Sequence, residues 1–281
     1  MWAGNAVVGR LVHDLVPPMT LNLLRWAIAM LILLPLAGSV FRPGSGLWPN
    51  WKSFSMLGLL SVGLYNSLQY LALQSSSPIN VTLVAASMPL WMLLVGKLFY
   101  SAKVRTRGVI GAILSIAGVL LVLSRGEWQI LLSMQLVPGD LYMIAAAIAW
   151  AFYSWMLTRH NEPEHIRRNG TMFMLAQIGF GVVWSAAFTA GEWMIGDPHI
   201  YWSWELGAAI LFVAIGPAII ALRCWGAGVQ NAGPTIAGFF SNLTPLFAAL
   251  LSLAVLGELP HLYHLAAFVM IVGGIVLSAQ R

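Results

Sequence analysis

Charge is scarce in this chain of 281 residues. Asp, Glu, Lys and Arg make up 8% of it, hydrophobic residues make up 59%, and the mean hydropathy is +0.83. A soluble domain carries roughly 25% charged residues, so this chain cannot coat itself with a water-facing surface and reads as an integral membrane protein. Cysteine is nearly missing as well: Cys224 stands alone, which excludes an internal disulfide and a cysteine-only metal site. His13, His160, His165, His199, His261 and His264 all fall outside the centres of the apolar runs. A buried zinc cluster or haem ligand set is therefore not expected, and no cofactor is. No GxxxxGK[ST] segment occurs, so ATP hydrolysis through a phosphate loop is excluded. Nor is there a midspan HExxH, Ser/His pair or Asp pair of the kind an intramembrane enzyme needs. The short loops leave little room for a channel filter. The net charge of +5 comes without a dense basic tract, so nucleic acid is not an expected partner.

What remains is apolar. About 20 apolar residues as helix cross the hydrocarbon of a bilayer, and runs near that length occupy 19–41, 53–74, 78–100, 107–124, 139–159, 171–191, 205–227, 234–256 and 262–279. The opening run, "MWAGNAVVGRLV", is too short to cross at 1.5 Å per residue. It is either re-entrant or a helix already under way at Met1; the second reading gives an all-α protein of ten transmembrane helices. Placing the N-terminus in the cytoplasm puts Arg42, Lys52, Lys103, Arg105, Arg107, Arg159, Arg167, Arg168 and Arg281 in inside loops. Arg125 is then left outside with Glu192, Asp197 and Glu205. Positive residues favour the cytoplasmic side, so both termini are expected there.

The chain also repeats itself. At an ungapped offset of 156 residues, Gln74 matches Gln230, Pro78 matches Pro234, Pro89 matches Pro245, Leu90 matches Leu246 and Gly118 matches Gly274. Two five-helix halves, 1–125 and 138–281, follow. An odd helix count turns the second half over, giving a 5+5 inverted repeat, an arrangement of secondary transporters with substrate near the midplane. Pro89 and Pro245 fall near the middles of their runs, where a proline bends a helix and frees a carbonyl. Both are expected hinges, and Pro78 and Pro234 expected gates at the turns that begin near Gln74 and Gln230.

The start "WAGNAVVGRL", then "LRWAIAMLILLPL", then halves that each end in a proline-bearing helix and a Gly-rich helix, resemble the EamA type of the drug/metabolite transporter superfamily. The richness in Trp and Tyr is most similar to its YddG-type exporters of aromatic amino acids. The resemblance implies ten helices in a 5+5 inverted repeat, a bacterial cytoplasmic membrane location and export by alternating access. One departure is visible: Glu258 in "VLGELP" has no counterpart in "FYSAKVR" of the first half.

Polar and aromatic groups at membrane depth suggest the cavity. Asn5, Tyr65, Asn66, Gln69, Met88, Trp91, Trp150, Tyr153, Phe239 and Asn242 are expected to line it, with aromatic walls for a flat apolar group and amides for a polar end. The expected ligand is a neutral or zwitterionic small molecule. Trp48, Trp51, Trp193, Tyr201, Trp202 and Trp204 sit at helix ends and read as interfacial anchors against the lipid bilayer. No Asp or Glu lies midspan, which favours uniport or exchange over proton coupling. Asp14 and Glu258 are the residues able to overturn this, toward a proton-coupled exporter of drugs or other metabolites. Lys97 and Arg223 are expected to snorkel. Arg10 and Arg25 either pair with Asp14 or meet a substrate carboxylate.

Overall fold

The computed structural model describes residues 1–281 except 77, 134, 136, 160, 197, 248, 249, 251–261, 280 and 281. Among the described residues the chain is helical throughout. In order, the elements are α1 (Trp2–Leu11), α2 (Pro18–Ala37), α3 (Trp51–Gly58), α4 (Tyr65–Ser75), α5 (Pro78–Ala85), α6 (Met88–Phe99), α7 (Thr106–Leu123) and α8 (Trp128–Leu132). After them come α9 (Pro138–Met156), α10 (Glu164–Arg168), α11 (Gly170–Ile195), α12 (Trp204–Val213), α13 (Ala221–Ala232), α14 (Pro234–Ser241) and α15 (Leu262–Ala279). Two wider π-helical turns, Leu59–Leu64 and Ala214–Ile220, join α3 to α4 and α12 to α13.

The expectation of ten membrane helices in a 5+5 repeat needs correction. Among the described residues, 7 helices are long and apolar enough to cross a membrane: Pro18–Phe41, Trp48–Ser75, Asn80–Phe99, Thr106–Leu123, Gly170–Ile195, Trp204–Ala232 and Leu262–Ala279. The opening run yields only the 10 residues of α1. The run 139–159 forms α9, whose Asp140, Tyr142, Trp150, Tyr153 and Trp155 dilute its apolar character. Of the run 234–256, residues 248, 249 and 251–256 lie outside the described residues; the described part holds the 8 residues of α14, a turn at Asn242 and Leu243, and helix again over 244–247. Apolar length in a sequence counts residues, not unbroken helix.

The chain folds as two compact units that cut across its linear order. The first comprises Met1–Gln74 with Arg159–Ala227; the second comprises Ser75–Thr158 with Gly228–Arg281. In the first unit α2 packs along α11. The carboxylate of Glu192, near the end of α11, accepts from the Met19 and Thr20 backbone N–H groups at 2.9 and 3.0 Å and from Thr20 Oγ1 at 2.8 Å. It thereby satisfies donors that the first turn of α2 cannot bond internally and places negative charge at the positive helix end. α3 crosses α11 at Gly58 and Gly181, and a Cβ on Gly58 would strike the Gly181 amide at 2.6 Å. Small residues at such crossings let membrane helices approach backbone to backbone.

In the second unit α7 and α15 form the principal crossing. A Cβ on Gly111 would lie 2.6 Å from the Gly274 carbonyl oxygen, and one on Gly118 would lie 2.9 Å from that of Ala267. These contacts interchange under the 156-residue offset, because Gly111 corresponds to Ala267 and Gly118 to Gly274. α6 packs on α9, where Trp155 lies across Gly96 and donates its indole N–H to the Met92 carbonyl at 2.8 Å.

The prolines also differ from expectation. Pro89 is not in a helix interior: the chain turns at Ala86 and Ser87, and α6 starts at Met88 with Pro89 in its first turn. There a missing N–H costs nothing, since first-turn amides have no intrahelical acceptor. Pro245 likewise follows the turn at Asn242 and Leu243. Pro78 and Pro234 open α5 and α14, the latter just after Gly233, whose φ of +86° favours glycine. The midspan bends are therefore breaks between helices, with each proline restarting the chain.

Candidate functional site

The most unusual group in the first unit is Arg25. It lies seven residues beyond Pro18, about 10 Å along α2 at 1.5 Å per residue. On α2 the buried positions Asn22, Arg25, Trp26, Ala29 and Leu33 follow helical spacing and share a face, so burial of Arg25 follows from the packing of that face. The side chain is only 1% exposed. Nη1 donates to Asn5 Oδ1 on α1 at 3.1 Å, and to Asn66 Oδ1 and Tyr70 Oη on α4 at 2.9 and 2.8 Å. Tyr70 in turn donates to Asn5 Oδ1 at 3.1 Å, and Asn5 Nδ2 reaches Gln69 Oε1 at 3.4 Å. Tyr65 lies within electrostatic reach of the guanidinium.

Every hydrogen-bond partner of Arg25 is neutral. Among the described residues the ion pairs are His13–Asp14, Arg167–Glu162 and Arg168–Glu164, and none involves Arg25. Pairing with Asp14 is thus corrected: Asp14 meets His13 at 3.2 Å and its side chain is 84% exposed. Placing an arginine at the centre of a membrane helix costs roughly 2.5–3.5 kcal/mol on insertion scales. Hydrogen bonds to a charged group return about 1.5–3 kcal/mol each, so neutral oxygens are enough to keep the cation folded in.

The π-helical turn Leu59–Leu64 supports this cluster. Widening to i→i+5 bonding displaces carbonyls from the α-helical ladder, and side-chain amides take them up. Asn66 Nδ2 donates to the Ser61 carbonyl at 3.2 Å while its Oδ1 faces Arg25. Asn22 Nδ2 donates to the Val62 carbonyl at 2.9 Å. The second π turn, Ala214–Ile220, corresponds to the first at the 156-residue offset. Its Pro217 carbonyl accepts from Trp2 Nε1 at 3.4 Å. π turns of this kind recur at functional sites.

The remaining expected site residues lie in the second unit. On α9 the rings of Trp150 and Tyr153 are 5.0 Å apart and both are buried. Met88 is buried at the start of α6, and Trp91 Nε1 donates to Ser87 Oγ at 3.0 Å. Phe239 is fully buried in an apolar core with Ala86, Val119, Leu246 and Ile271. Asn242 Nδ2 donates to the Ala86 carbonyl at 3.2 Å and to Ser115 Oγ at 2.9 Å. Ala86 and Asn242 are offset partners, 156 residues apart, so the two helix breaks are bonded to each other. Both amide hydrogens of Asn242 serve this internal link.

The structure therefore brings Asn5, Asn66 and Gln69 together, pairs Trp150 with Tyr153, and joins Asn242 to the break before Pro89. Sequence reasoning missed Tyr70 and underrated Arg25. The available signal was spacing, since Asn66 and Tyr70 are i, i+4 on one helix face. Glu258, a candidate for proton coupling, lies outside the described residues. The buried carboxylates that are described are engaged elsewhere. Asp140 accepts from the Val137 backbone N–H at the start of its own helix and from Ser76 Oγ, and Glu162 accepts from Ser53 Oγ and Arg167.

Two stretches of the chain, residues 1–124 and 137–280, match the model of the EamA-like transporter family. Among similar proteins, the aromatic amino acid exporter YddG of Ancylobacter novellus is 25% identical over 270 residues, covering 94% of this chain and 88% of that protein. YyaM of Bacillus subtilis, an uncharacterised transporter, is 23% identical over 253 residues, with 90% of this chain and 80% of YyaM covered. A solved crystal structure superposes with a TM-score of 0.70 at 22% identity, covering 98% of this chain and 94% of that one. The last likeness concerns the fold alone.

Proposed function

The chain belongs to the EamA-like transporter family, and from that premise we propose that this multi-pass membrane transporter exports aromatic and other neutral amino acids across the bacterial cytoplasmic membrane. Family membership makes it a secondary transporter working by alternating access, not an enzyme. The observation that carries the substrate reading is the buried polar cluster of Asn5, Arg25, Asn66 and Tyr70. Polar and ionisable groups inside membrane helices are costly and mark substrate pathways. The buried Trp150–Tyr153 pair offers a flat apolar surface of the kind an aromatic side chain stacks on. One relative named as an aromatic amino acid exporter adds support.

Transport runs as uniport or exchange. The buried carboxylates among the described residues, Asp140 in the first turn of α9 and Glu162 in the loop before α10, are held by backbone, hydroxyl or arginine donors and are poorly placed to carry a proton through the membrane. Labelled Phe, Trp and Tyr loaded into liposomes with the purified protein should leave at the same rate with and without an imposed pH gradient. Flux that requires the gradient would refute uniport. Flux of drugs or other metabolites without any aromatic amino acid would refute the substrate.

The segments 1–125 and 138–281 act as paired repeats with gates at the turns before Pro78 and Pro234. Cysteines cross-linked across either turn should stop flux, and undiminished flux would remove the gates. The loop arginines and lysines favour cytoplasmic termini; a phosphatase reporter fused after Arg281 that is active in the periplasm would reverse that orientation.

A further inference from the structure

We propose that the Nε–Nη2 edge of Arg25 receives the carboxylate of the transported molecule, so that the transporter selects anionic and zwitterionic substrates over amines. The proposal rests on the reading of the chain as an amino-acid exporter and names the group that would recognise the acid end. A guanidinium presents parallel N–H donors along its edges, and a carboxylate binds such an edge with both oxygens. Among the described residues the hydrogen bonds of Arg25 leave from Nη1, whose two N–H groups are shared among Asn5, Asn66 and Tyr70. Nε is buried without a hydrogen-bond acceptor among the described residues. One end of the guanidinium is thus tethered, while Nε on the adjoining side-on edge has no hydrogen-bond acceptor among the described residues.

Three physical points favour a carboxylate there. The first is neutralisation: a buried cation bonded only to neutral oxygens keeps its full charge, and one monovalent anion cancels it. The second is orientation. Asn66 is itself fixed by the Ser61 carbonyl of the π turn, and Tyr70 by Asn5, so the Nη1 tether holds the plane of the guanidinium. Such a preset fork loses little freedom on binding. The third is exclusion. A cationic drug or simple amine brings like charge to Arg25, and an amide of the same shape brings one acceptor instead of two.

Paired probes test this on the full chain, with intrinsic tryptophan fluorescence reporting thermal unfolding in detergent. The probes are L-phenylalanine against L-phenylalaninamide and benzoate against benzamide. The acid of each pair should raise the unfolding temperature and the amide should leave it unchanged. The acid-dependent shift should vanish in Arg25→Gln and shrink in Arg25→Lys, which keeps a charge but loses the fork. Efflux of phenylalanine from liposomes should exceed that of its amide at least tenfold, and the ratio should fall toward one in Arg25→Gln. Equal shifts from acid and amide, no shift from any probe, or an acid preference that survives in Arg25→Gln would each overturn the proposal. If Arg25→Gln does not fold, the wild-type comparison of each pair still decides. A benzoate shift that depends on Arg25, in a protein that neither binds nor exports phenylalanine, sinks the amino-acid reading and leaves the carboxylate site standing. Export of phenylalanine without acid preference does the reverse.

Discussion

The two compact units bury polar groups for different ends. In the first, Arg25, Asn5, Asn66 and Tyr70 form a charged cluster whose cation has no carboxylate partner among the described residues, beside a π turn whose carbonyls are held by Asn22 and Asn66. In the second, the buried amide of Asn242 closes a neutral link to Ser115 and to the Ala86 carbonyl, next to a crossing made tight by Gly111 and Gly274. The second arrangement gives both amide hydrogens of Asn242 an acceptor and brings two backbones close together, so it suits holding a shape. The first leaves a buried donor unmet at Arg25 Nε, so it suits meeting something else.

That contrast breaks most sharply at the glycine crossing. Gly111→Leu drives a branched side chain into the Gly274 backbone, and overpacking costs typically about 1–3 kcal/mol and occasionally more. This variant should show the largest loss of unfolding temperature in detergent; an unchanged midpoint would mean the helices separate freely. Asn242→Leu comes next. It leaves the Ala86 carbonyl and Ser115 without their donor, and at about 0.6–2 kcal/mol for membrane hydrogen bonds it should lower stability measurably. Its transport should fall only in proportion to folded protein; a selective loss of flux would move Asn242 from scaffold to site.

Smaller again is Trp155→Phe, which keeps the aromatic contact over Gly96 and removes only the hydrogen bond to Met92. A cost near 0.6 kcal/mol is expected, read from the same thermal scans. The smallest net effect is expected for Arg25→Met, where relief of the roughly 2.5–3.5 kcal/mol cost of an arginine at membrane depth offsets the loss to Asn5, Asn66 and Tyr70 of their donor. Its unfolding temperature should change little while its efflux collapses. A large destabilisation with flux per folded molecule intact would make Arg25 a structural pin and erase the difference between the units.

Much of this molecule was legible in one dimension. The scarcity of charge and the long apolar runs give a membrane-spanning helical protein, because hydrocarbon tolerates only backbones that satisfy their own hydrogen bonds. The 156-residue offset was legible too, and its traces reappear as contacts: Asn242 bonds to Ala86, and the α7–α15 glycines interchange. What failed was the inference from apolar length to helix number. The opening run forms a helix of only 10 residues, α9 is diluted by polar and aromatic residues, and Pro89 read as a midspan bend when it lies in the first turn of α6. The π turns were invisible for a related reason: one extra residue per turn leaves no mark on a pattern this uniformly apolar.

The candidate site divides the same way. Asn5, Asn66 and Gln69 could be named from the sequence as polar groups at membrane depth, since their cost there is independent of neighbours. Arg25 could be seen but not understood. Its nearest acid along the chain is Asp14, and proximity in sequence suggested a pair that the fold does not make. Composition and hydropathy alone determined that the chain enters the bilayer as helices. Only the tertiary structure decided that Arg25 is buried among Asn5, Asn66 and Tyr70, because those oxygens come from two other helices, α1 and α4, whose meeting with α2 depends on side-chain packing rather than on any local pattern.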